Sequence, residues 1–276
     1  MLVPKELLST VSFLYIKDEN GYRVVGTAFH LLIVEEKYTF TYIVTCKHVI
    51  ENAEIAGKSI FLRLNRSDDI NVDYARIESD WVYHHRAEVD LAIALLVPDG
   101  RPLELSAFGI ENIMTRREQK GIGLSEVLGV EVCFIGLFHQ YVGIRRNYPI
   151  VRHGRIALIT DESVYGHYGT GDYHIIECQA QPGNSGSPVL LPLKKQNETA
   201  TQWRIMGVIQ AHFIQPTEFS IAPISDQTDK ETAIKGYFEA HSGISLATPA
   251  EYIIDILNSE FFIEQRRKRF GAGKLE

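Results

Sequence analysis

Three short segments carry residue types that could perform nucleophilic and acid–base chemistry. His48 follows the apolar run 42–45, Asp90 precedes the run 91–97, and Ser185 lies in a glycine-rich loop before the run 189–191. A hydroxyl nucleophile needs a neutral imidazole to take its proton, and the imidazole needs a carboxylate to hold its tautomer. Each residue alone is more typical of a structural role, but the chain supplies all three in the order His, Asp, Ser, separated by 42 and 95 residues. The combination predicts a catalytic triad assembled between two β-barrels of about 100 residues each.

The strongest of the three signals is the loop Pro182-Gly-Asn-Ser-Gly-Ser-Pro188. Glycines at 183 and 186 permit backbone geometries and close approaches that a Cβ would block. Serine nucleophiles also need N–H groups aimed at the oxyanion that develops during attack. We therefore predict an oxyanion hole in the segment Gly183, Asn184 and Ser185, with the N–H groups of Gly183 and Ser185 as donors.

The elements that must position these residues are predominantly β-strands. Most apolar runs are short, rich in β-branched and aromatic residues, and bounded by Gly, Pro, Asn, Asp or charged residues, which predicts an all-β barrel or sandwich. Asn20-Gly21 marks a hairpin turn. The polar stretches 193–202 and 216–235 are predicted to be surface loops.

One helix is predicted near the end of the chain, over residues 248–262. Thr248 is suited to cap it, Pro249 to occupy its first position and Glu251 to complete a capping box. Apolar residues between 252 and 257 then recur at helical spacing. The charged residues 263–276 are expected to form a frayed tail.

Composition narrows the possible functions. The chain has 276 residues and a net charge of −7, which disfavours nucleic-acid binding because phosphate recognition needs concentrated cations. It contains neither an apolar run long enough to span a membrane nor a secretory signal. Its three cysteines, at 46, 133 and 178, are too few for a disulfide framework and are expected to be buried thiols. These features predict a cytoplasmic protein without nucleic-acid or membrane partners.

The triad segments resemble those of the trypsin-like (chymotrypsin-fold) serine proteases. They are most similar to bacterial types without disulfides, such as HtrA-like protease domains and glutamyl endopeptidases. The resemblance extends over residues 8–258 and includes further segments at Val25–Phe29, Pro149–Ile159, Met206–Gln210 and His241–Pro249.

The resemblance implies two six-stranded antiparallel β-barrels, at 8–110 and 125–247, followed by the C-terminal α-helix. It makes Ser185 the nucleophile, His48 the general acid/base and Asp90 its orienting carboxylate. The implied activity is that of a serine endopeptidase that hydrolyses peptide or protein substrates through an acyl-enzyme, without a metal or organic cofactor. A latent state released by a regulatory protein partner is also considered.

Carried over residue by residue, the resemblance also places substrate-binding positions. Gln179 corresponds to the base of the primary pocket, Pro182 lies beside it, and Gln210, Ala211 and His212 would pair with the substrate backbone. The neutral Gln179 argues against a preference for Lys or Arg. Where the digestive proteases have an Asp that pairs with a newly cut N-terminus, this chain has Asn184, so activation by N-terminal cleavage is not expected.

The sequence can also be compared with three other interpretations: an α/β-hydrolase, a metal site and a peptide-binding module. An α/β-hydrolase would need a glycine at Ser187 and a helix after the nucleophile, and the apolar run 189–191 predicts a strand instead. A metal site at Cys46 and His48 lacks two further ligands at suitable spacing. A catalytically silent, protease-fold peptide-binding module remains an alternative, although all three triad residues are present.

Overall fold

Two sheets account for most of the fold. The computed structural model describes residues 2–68, 71–97, 100–124, 128–160, 162–166, 168–194, 201–221 and 234–272. Within these ranges it does not describe the side chains of residues 211–212, 214–221, 234–235, 237–241 and 269–272. The longer strands are β1 (Val11–Asp18), β2 (Gly21–Glu35), β3 (Tyr38–Thr45), β4 (Ile60–Arg66), β5 (Val72–Arg76), β7 (Ala92–Leu96), β10 (Glu131–Gly136), β11 (Ile150–Ile159), β14 (His174–Glu177), β15 (Pro188–Leu193), β16 (Gln202–Ile221) and β17 (Ile234–Pro249). The shorter strands are β6 (Val82–Tyr83), β8 (Leu103–Glu104), β9 (Phe108–Gly109), β12 (Val164–Gly166) and β13 (Gly169–Gly171). The helices are α1 (Lys47–Ile55), α2 (Arg116–Gly121), α3 (Glu251–Leu257) and α4 (Glu260–Ala272), with short 3₁₀ turns at Lys5–Thr10 and Ile110–Asn112.

The N-terminal half forms a nine-stranded sheet. Its main path runs β5-β4-β1-β2-β3-β7-β6, and β8 and β9 add to β4 and β2. The predicted hairpin at Asn20-Gly21 is confirmed, because β1 and β2 pair directly and Gly21 has a φ of +112°. Buried aromatic and aliphatic side chains, among them Phe13, Phe29 and Tyr42, form the core of this half.

The C-terminal half is a closed six-stranded barrel, in the order β10-β11-β14-β17-β16-β15. A smaller apolar cluster fills it, including Phe134, Ile156 and Met206. The prediction of a mostly β architecture with a C-terminal helical segment is confirmed, and the C-terminal half is the six-stranded barrel expected there. The N-terminal half differs from the expected six-stranded barrel, because short strands β8 and β9 and the edge strands extend it to a nine-stranded sheet. No helix in the described parts of the chain is both long and apolar enough to cross a membrane.

The predicted helix cap near the C-terminus is wrong. Thr248 and Pro249 are the last residues of β17, where they pair with Val208 and Gly207, and α3 begins only at Glu251. A sheet ladder formed with a distant segment has overridden the local capping pattern.

The predicted tail is also wrong in its described part, because α4 continues to Ala272. Phe262 is fully buried, and Arg266 is buried against the N-terminal half, where it pairs with Glu35 at 2.8 Å and donates to the Tyr42 hydroxyl at 3.2 Å. These contacts hold α4 on the protein.

The polar stretch 216–235 is strand at both of its ends. β16 and β17 pair from Ile214 with His241 to Ile221 with Ile234, which extends a two-stranded ribbon beyond the barrel. Residues 222–233, between the two strands, lie outside the described residues. Of the other predicted loop, 193–202, residues 195–200 likewise lie outside them.

Two buried histidines generate a prediction about stability. Burial lowers the pKa of His30 and of His174 to about 4, and for His174 the charge of Arg116 acts in the same direction. Both rings are neutral in the folded and unfolded chain at pH 7. Below about pH 6.5 the unfolded chain binds protons that the folded chain does not. Each histidine should therefore lower the free energy of unfolding by about 2 kcal/mol at pH 5.

Urea unfolding of the wild type and of His30→Gln at pH 7 and pH 5 measures this effect. The variant has one fewer titrating group, so its free energy of unfolding should fall less between pH 7 and pH 5. The difference from the wild type should equal the contribution of His30. An equal loss in both proteins would contradict the prediction.

Candidate active site

His48 and Asp90 are joined by two hydrogen bonds. The Nδ1 atom of His48 lies 2.6 Å from Oδ2 of Asp90, and the His48 backbone N–H donates to Oδ1 at 2.9 Å. The Asp90 side chain is fully buried, whereas that of His48 is 18% exposed. A buried carboxylate that accepts from both the ring and the backbone of one histidine fixes the orientation and tautomer of that ring.

Local structure explains how these two residues meet. β3 ends at Thr45, Cys46 is extended, and α1 begins at Lys47, so His48 lies in the first turn of a helix. Thr45 pairs with Ala92, the first residue of β7, and Asp90 lies two residues before that strand. The β3–β7 ladder therefore brings the two side chains together.

The loop that carries Ser185, the predicted nucleophile, begins with a tight turn. The Asn184 N–H donates to the Gln181 carbonyl at 2.9 Å, with Pro182 and Gly183 at the two central positions. Gly183 has a φ of +93°, as a type II turn requires at its third residue. In a type I turn the Pro182–Gly183 peptide would be flipped, and the Gly183 N–H would point the other way.

The buried Asn184 side chain stabilises this turn from within. Its Oδ1 accepts from the Gln181 N–H at 2.8 Å, and its Nδ2 donates to the Leu137 carbonyl at 2.6 Å. Within the described chain, the N–H groups of Gly183 and Ser185 have no hydrogen-bond partner. Two neighbouring free donors beside a serine hydroxyl have the chemistry of an anion-binding cradle, as the sequence predicts for this segment.

The Ser185 hydroxyl donates to the Gln210 carbonyl at 3.2 Å. A serine hydroxyl carries one proton, so this bond must break before the proton can be directed toward an imidazole. Hydrogen bonds of catalytic groups are often long or misaligned in structures without substrate.

Cys46 packs behind the His48–Asp90 pair. Its thiol donates to the Ile209 carbonyl at 3.1 Å, and burial together with the charge of Asp90 raises the pKa of the thiol well above its usual value. Its sulfur lies within 4.8 Å of ligand atoms of both His48 and Asp90. Cys46, His48 and Asp90 therefore bring three candidate metal ligands together, one more than the pair Cys46 and His48 considered from the sequence. Each of the three side chains is already engaged in the hydrogen bonds described here. Cys46, Cys133 and Cys178 are all free and buried, as predicted.

The predicted substrate-binding residues differ in their exposure to solvent. Gln210 is buried and its carbonyl faces Ser185, whereas Pro182 is exposed on the turn. Gln179 is exposed and lines an open cavity of about 740 Å³ that also contains Arg152 and Glu177. The side chains of Ala211 and His212 lie outside the described residues, although both positions belong to β16.

Thr27 is a contact residue that the sequence analysis did not identify. It is fully buried in β2, and its backbone and hydroxyl bond to both the nucleophile loop and β3. The only sequence signal for Thr27 is that a residue with a hydroxyl group follows Gly26 directly. That signal does not distinguish Thr27 from other threonines in strands.

Comparison with known proteins agrees with this geometry. The family model of the trypsin-like peptidase domain matches residues 26–195, whereas no curated protein sequence matches the chain. The apo protease domain of MamO from Magnetospirillum magneticum is 14% identical, with a TM-score of 0.54 over 92% of this chain and 99% of that one. The clip serine protease Grass of the Drosophila Toll pathway is 13% identical, with a TM-score of 0.51 over 91% of this chain and 68% of that one.

At these identities the structural likeness concerns the fold alone. The family model, however, spans more than half of the sequence and includes His48, Asp90 and Ser185. The chain therefore belongs to the trypsin-like peptidase family.

Proposed function

We propose that the protein is a serine endopeptidase in which Ser185 is the nucleophile, His48 the general acid/base and Asp90 the orienting carboxylate. The observation that carries the proposal is the combination of the buried His48–Asp90 pair with two free N–H groups beside Ser185. The first supplies a base of fixed tautomer, and the second supplies donors for an oxyanion.

In the proposed mechanism the Ser185 hydroxyl rotates from the Gln210 carbonyl toward the imidazole and attacks the scissile carbonyl. His48 takes the serine proton, and the N–H groups of Gly183 and Ser185 bind the oxyanion. His48 then gives the proton to the leaving amine, and an acyl-enzyme remains on Ser185. Water, deprotonated by His48, attacks the acyl carbonyl, and His48 passes that proton to the Ser185 oxygen as the acid product leaves. Asp90 stays ionised throughout.

The substrate is proposed to bind as an added strand along β16. β15 pairs with β16 only as far as Val208, so no described strand pairs with that edge of β16 from Gln210 onward, next to Ser185. Gln210, Ala211 and His212 would pair with the substrate backbone on that edge, and Gln179 and Pro182 would border the side chain before the scissile bond.

Two features of the organisation are also proposals. The two halves of the enzyme are assigned to 8–110 and 125–247, in keeping with strands that lie between 11 and 109 and between 131 and 249. A cytoplasmic setting is supported by the three free thiols.

A second candidate function is a catalytically silent peptide-binding module. The observation in its favour is that the Ser185 hydroxyl bonds to a backbone carbonyl in this structure. The free oxyanion donors favour the enzyme, and they also favour a hole that forms without a regulatory partner.

Labelling with a fluorophosphonate probe tests the proposed function. We expect the wild type to gain one adduct, detected by intact mass and located at Ser185, because only an activated serine reacts with such a probe. Ser185→Ala should gain none, and Ser187→Ala, which removes a second serine hydroxyl from the same loop, should retain the adduct. If folded wild type were not labelled, the peptide-binding module would be favoured instead.

Replacing the carboxylate tests the role of Asp90. Asp90→Asn should slow labelling by about 10⁴-fold, since an amide in place of a triad carboxylate stabilises the wrong tautomer of the histidine. Asp255→Asn is the control, because Asp255 is a half-exposed carboxylate whose partner is His84. Labelling of Asp90→Asn within tenfold of the wild-type rate would contradict the assigned role.

A further inference from the structure

Thr27 makes four hydrogen bonds at the junction between the two halves. Its N–H donates to the Ser185 carbonyl at 3.0 Å, and its hydroxyl donates to the Gly183 carbonyl at 2.7 Å. The same hydroxyl accepts from the Leu137 N–H at 3.0 Å. The Thr27 carbonyl accepts from the Thr45 hydroxyl at 2.7 Å. Every polar group of this fully buried residue is therefore in use.

The hydroxyl of Thr27 fixes the peptide unit between the two oxyanion donors. The Gly183 carbonyl and the Asn184 N–H belong to one peptide unit. Its carbonyl accepts from Thr27, and its N–H donates to Gln181. Because this unit is held at both ends, it gives a fixed neighbour to each of the two peptide units that carry the free N–H groups, Pro182–Gly183 before it and Asn184–Ser185 after it.

The backbone of Thr27 fixes the peptide unit that follows the Ser185 N–H. The Ser185 carbonyl accepts from the Thr27 N–H, and the Gly186 N–H of the same unit donates to the Ile209 carbonyl at 2.9 Å. Between the two fixed units lies the Asn184–Ser185 peptide, whose N–H is the second free donor.

Thr27 also connects this loop to the strand that leads to His48. The Thr45 hydroxyl, three residues before His48, bonds to the Thr27 carbonyl. The approach is close, since a Cβ at Gly186 would lie 2.0 Å from the Thr27 carbonyl oxygen and 2.5 Å from the Thr45 hydroxyl. The loop that carries the nucleophile is thus seated directly on β2 and β3.

We propose that Thr27 is a positioning residue for the oxyanion hole, and that its hydroxyl, by fixing the Gly183–Asn184 peptide unit, keeps the neighbouring Gly183 and Ser185 N–H groups free beside the Ser185 hydroxyl. The inference rests on the proposed function for its consequence in catalysis. It concerns the hydroxyl, so the variant that removes only the hydroxyl, Thr27→Val, is the informative one. Thr27→Ser keeps the hydroxyl and should rescue.

The experiment measures saturation kinetics of fluorophosphonate labelling at Ser185. Thr27→Val should lower the maximal labelling rate by about tenfold to a hundredfold, the range expected when oxyanion donors are misplaced. The probe concentration at half-maximal rate should stay unchanged, because ground-state binding does not use the hole. Thr27→Ser should label within threefold of wild type.

Thr10→Val is the matched control. Thr10 is a buried threonine whose hydroxyl donates to the Leu7 carbonyl at 2.7 Å, the same distance as the bond from Thr27 to Gly183. It should lose stability without losing labelling rate. If Thr27→Val does not fold, Thr27→Ala replaces it, and a serine variant that labels as slowly as the alanine variant overturns the proposal.

Amide hydrogen exchange of the peptide covering 182–187 separates the two hypotheses. The N–H groups of Asn184 and Gly186 should exchange faster in Thr27→Val than in wild type or Thr10→Val, whether or not Ser185 reacts. Absence of labelling in wild type together with this change would defeat the proposed function and leave Thr27 as a loop-positioning residue. Unchanged exchange, or an unchanged maximal labelling rate in folded Thr27→Val, would overturn the inference.

Discussion

A single buried carboxylate, that of Asp90, constrains the N-terminal half of the site. Burying an ionised carboxylate is unfavourable unless both oxygens are hydrogen-bonded, and here one histidine supplies a donor to each. In this fold the two bonds form because His48 lies in the first turn of α1 and Asp90 lies two residues before β7. The pairing of β3 with β7 is therefore as much a part of the site as the side chains, because a shift of register would leave a charge buried without partners.

The C-terminal half contributes a loop to the site, whereas the N-terminal half contributes the paired strands β3 and β7. In the described chain the N–H groups of Asn184, Gly186 and Ser187 are bonded to turns or neighbouring strands, whereas those of Gly183 and Ser185 are unpaired and lie beside the serine hydroxyl. An unpaired N–H is unfavourable in a protein interior, and such groups are found where a ligand is to be bound. Thr27 of β2 bonds to the Gly183 and Ser185 carbonyls, so the loop is held in place while the two N–H groups stay free.

The candidate catalytic residues could be predicted from the sequence more readily than the residues that hold them in position. His48, Asp90 and Ser185 were identifiable from their residue types, the flanking apolar runs and the glycines at 183 and 186, which are local signals. Thr248 and Pro249 misled because their helix-capping pattern is local, whereas their pairing in β17 depends on β16. Thr27 was missed for the same reason, since its partners Leu137 and Gly183 are more than a hundred residues away along the chain. A single sequence carries no record of such contacts.

Asn184 gives the nucleophile loop an uncharged support. Both of its amide atoms bond to backbone groups, at Gln181 and Leu137, so the turn is held without an ion pair. A neutral amide neither titrates nor is screened by dissolved salt, so neither acidity nor ionic strength weakens these two bonds directly. The turn from Gln181 to Asn184 therefore keeps this support under any conditions in which the chain stays folded.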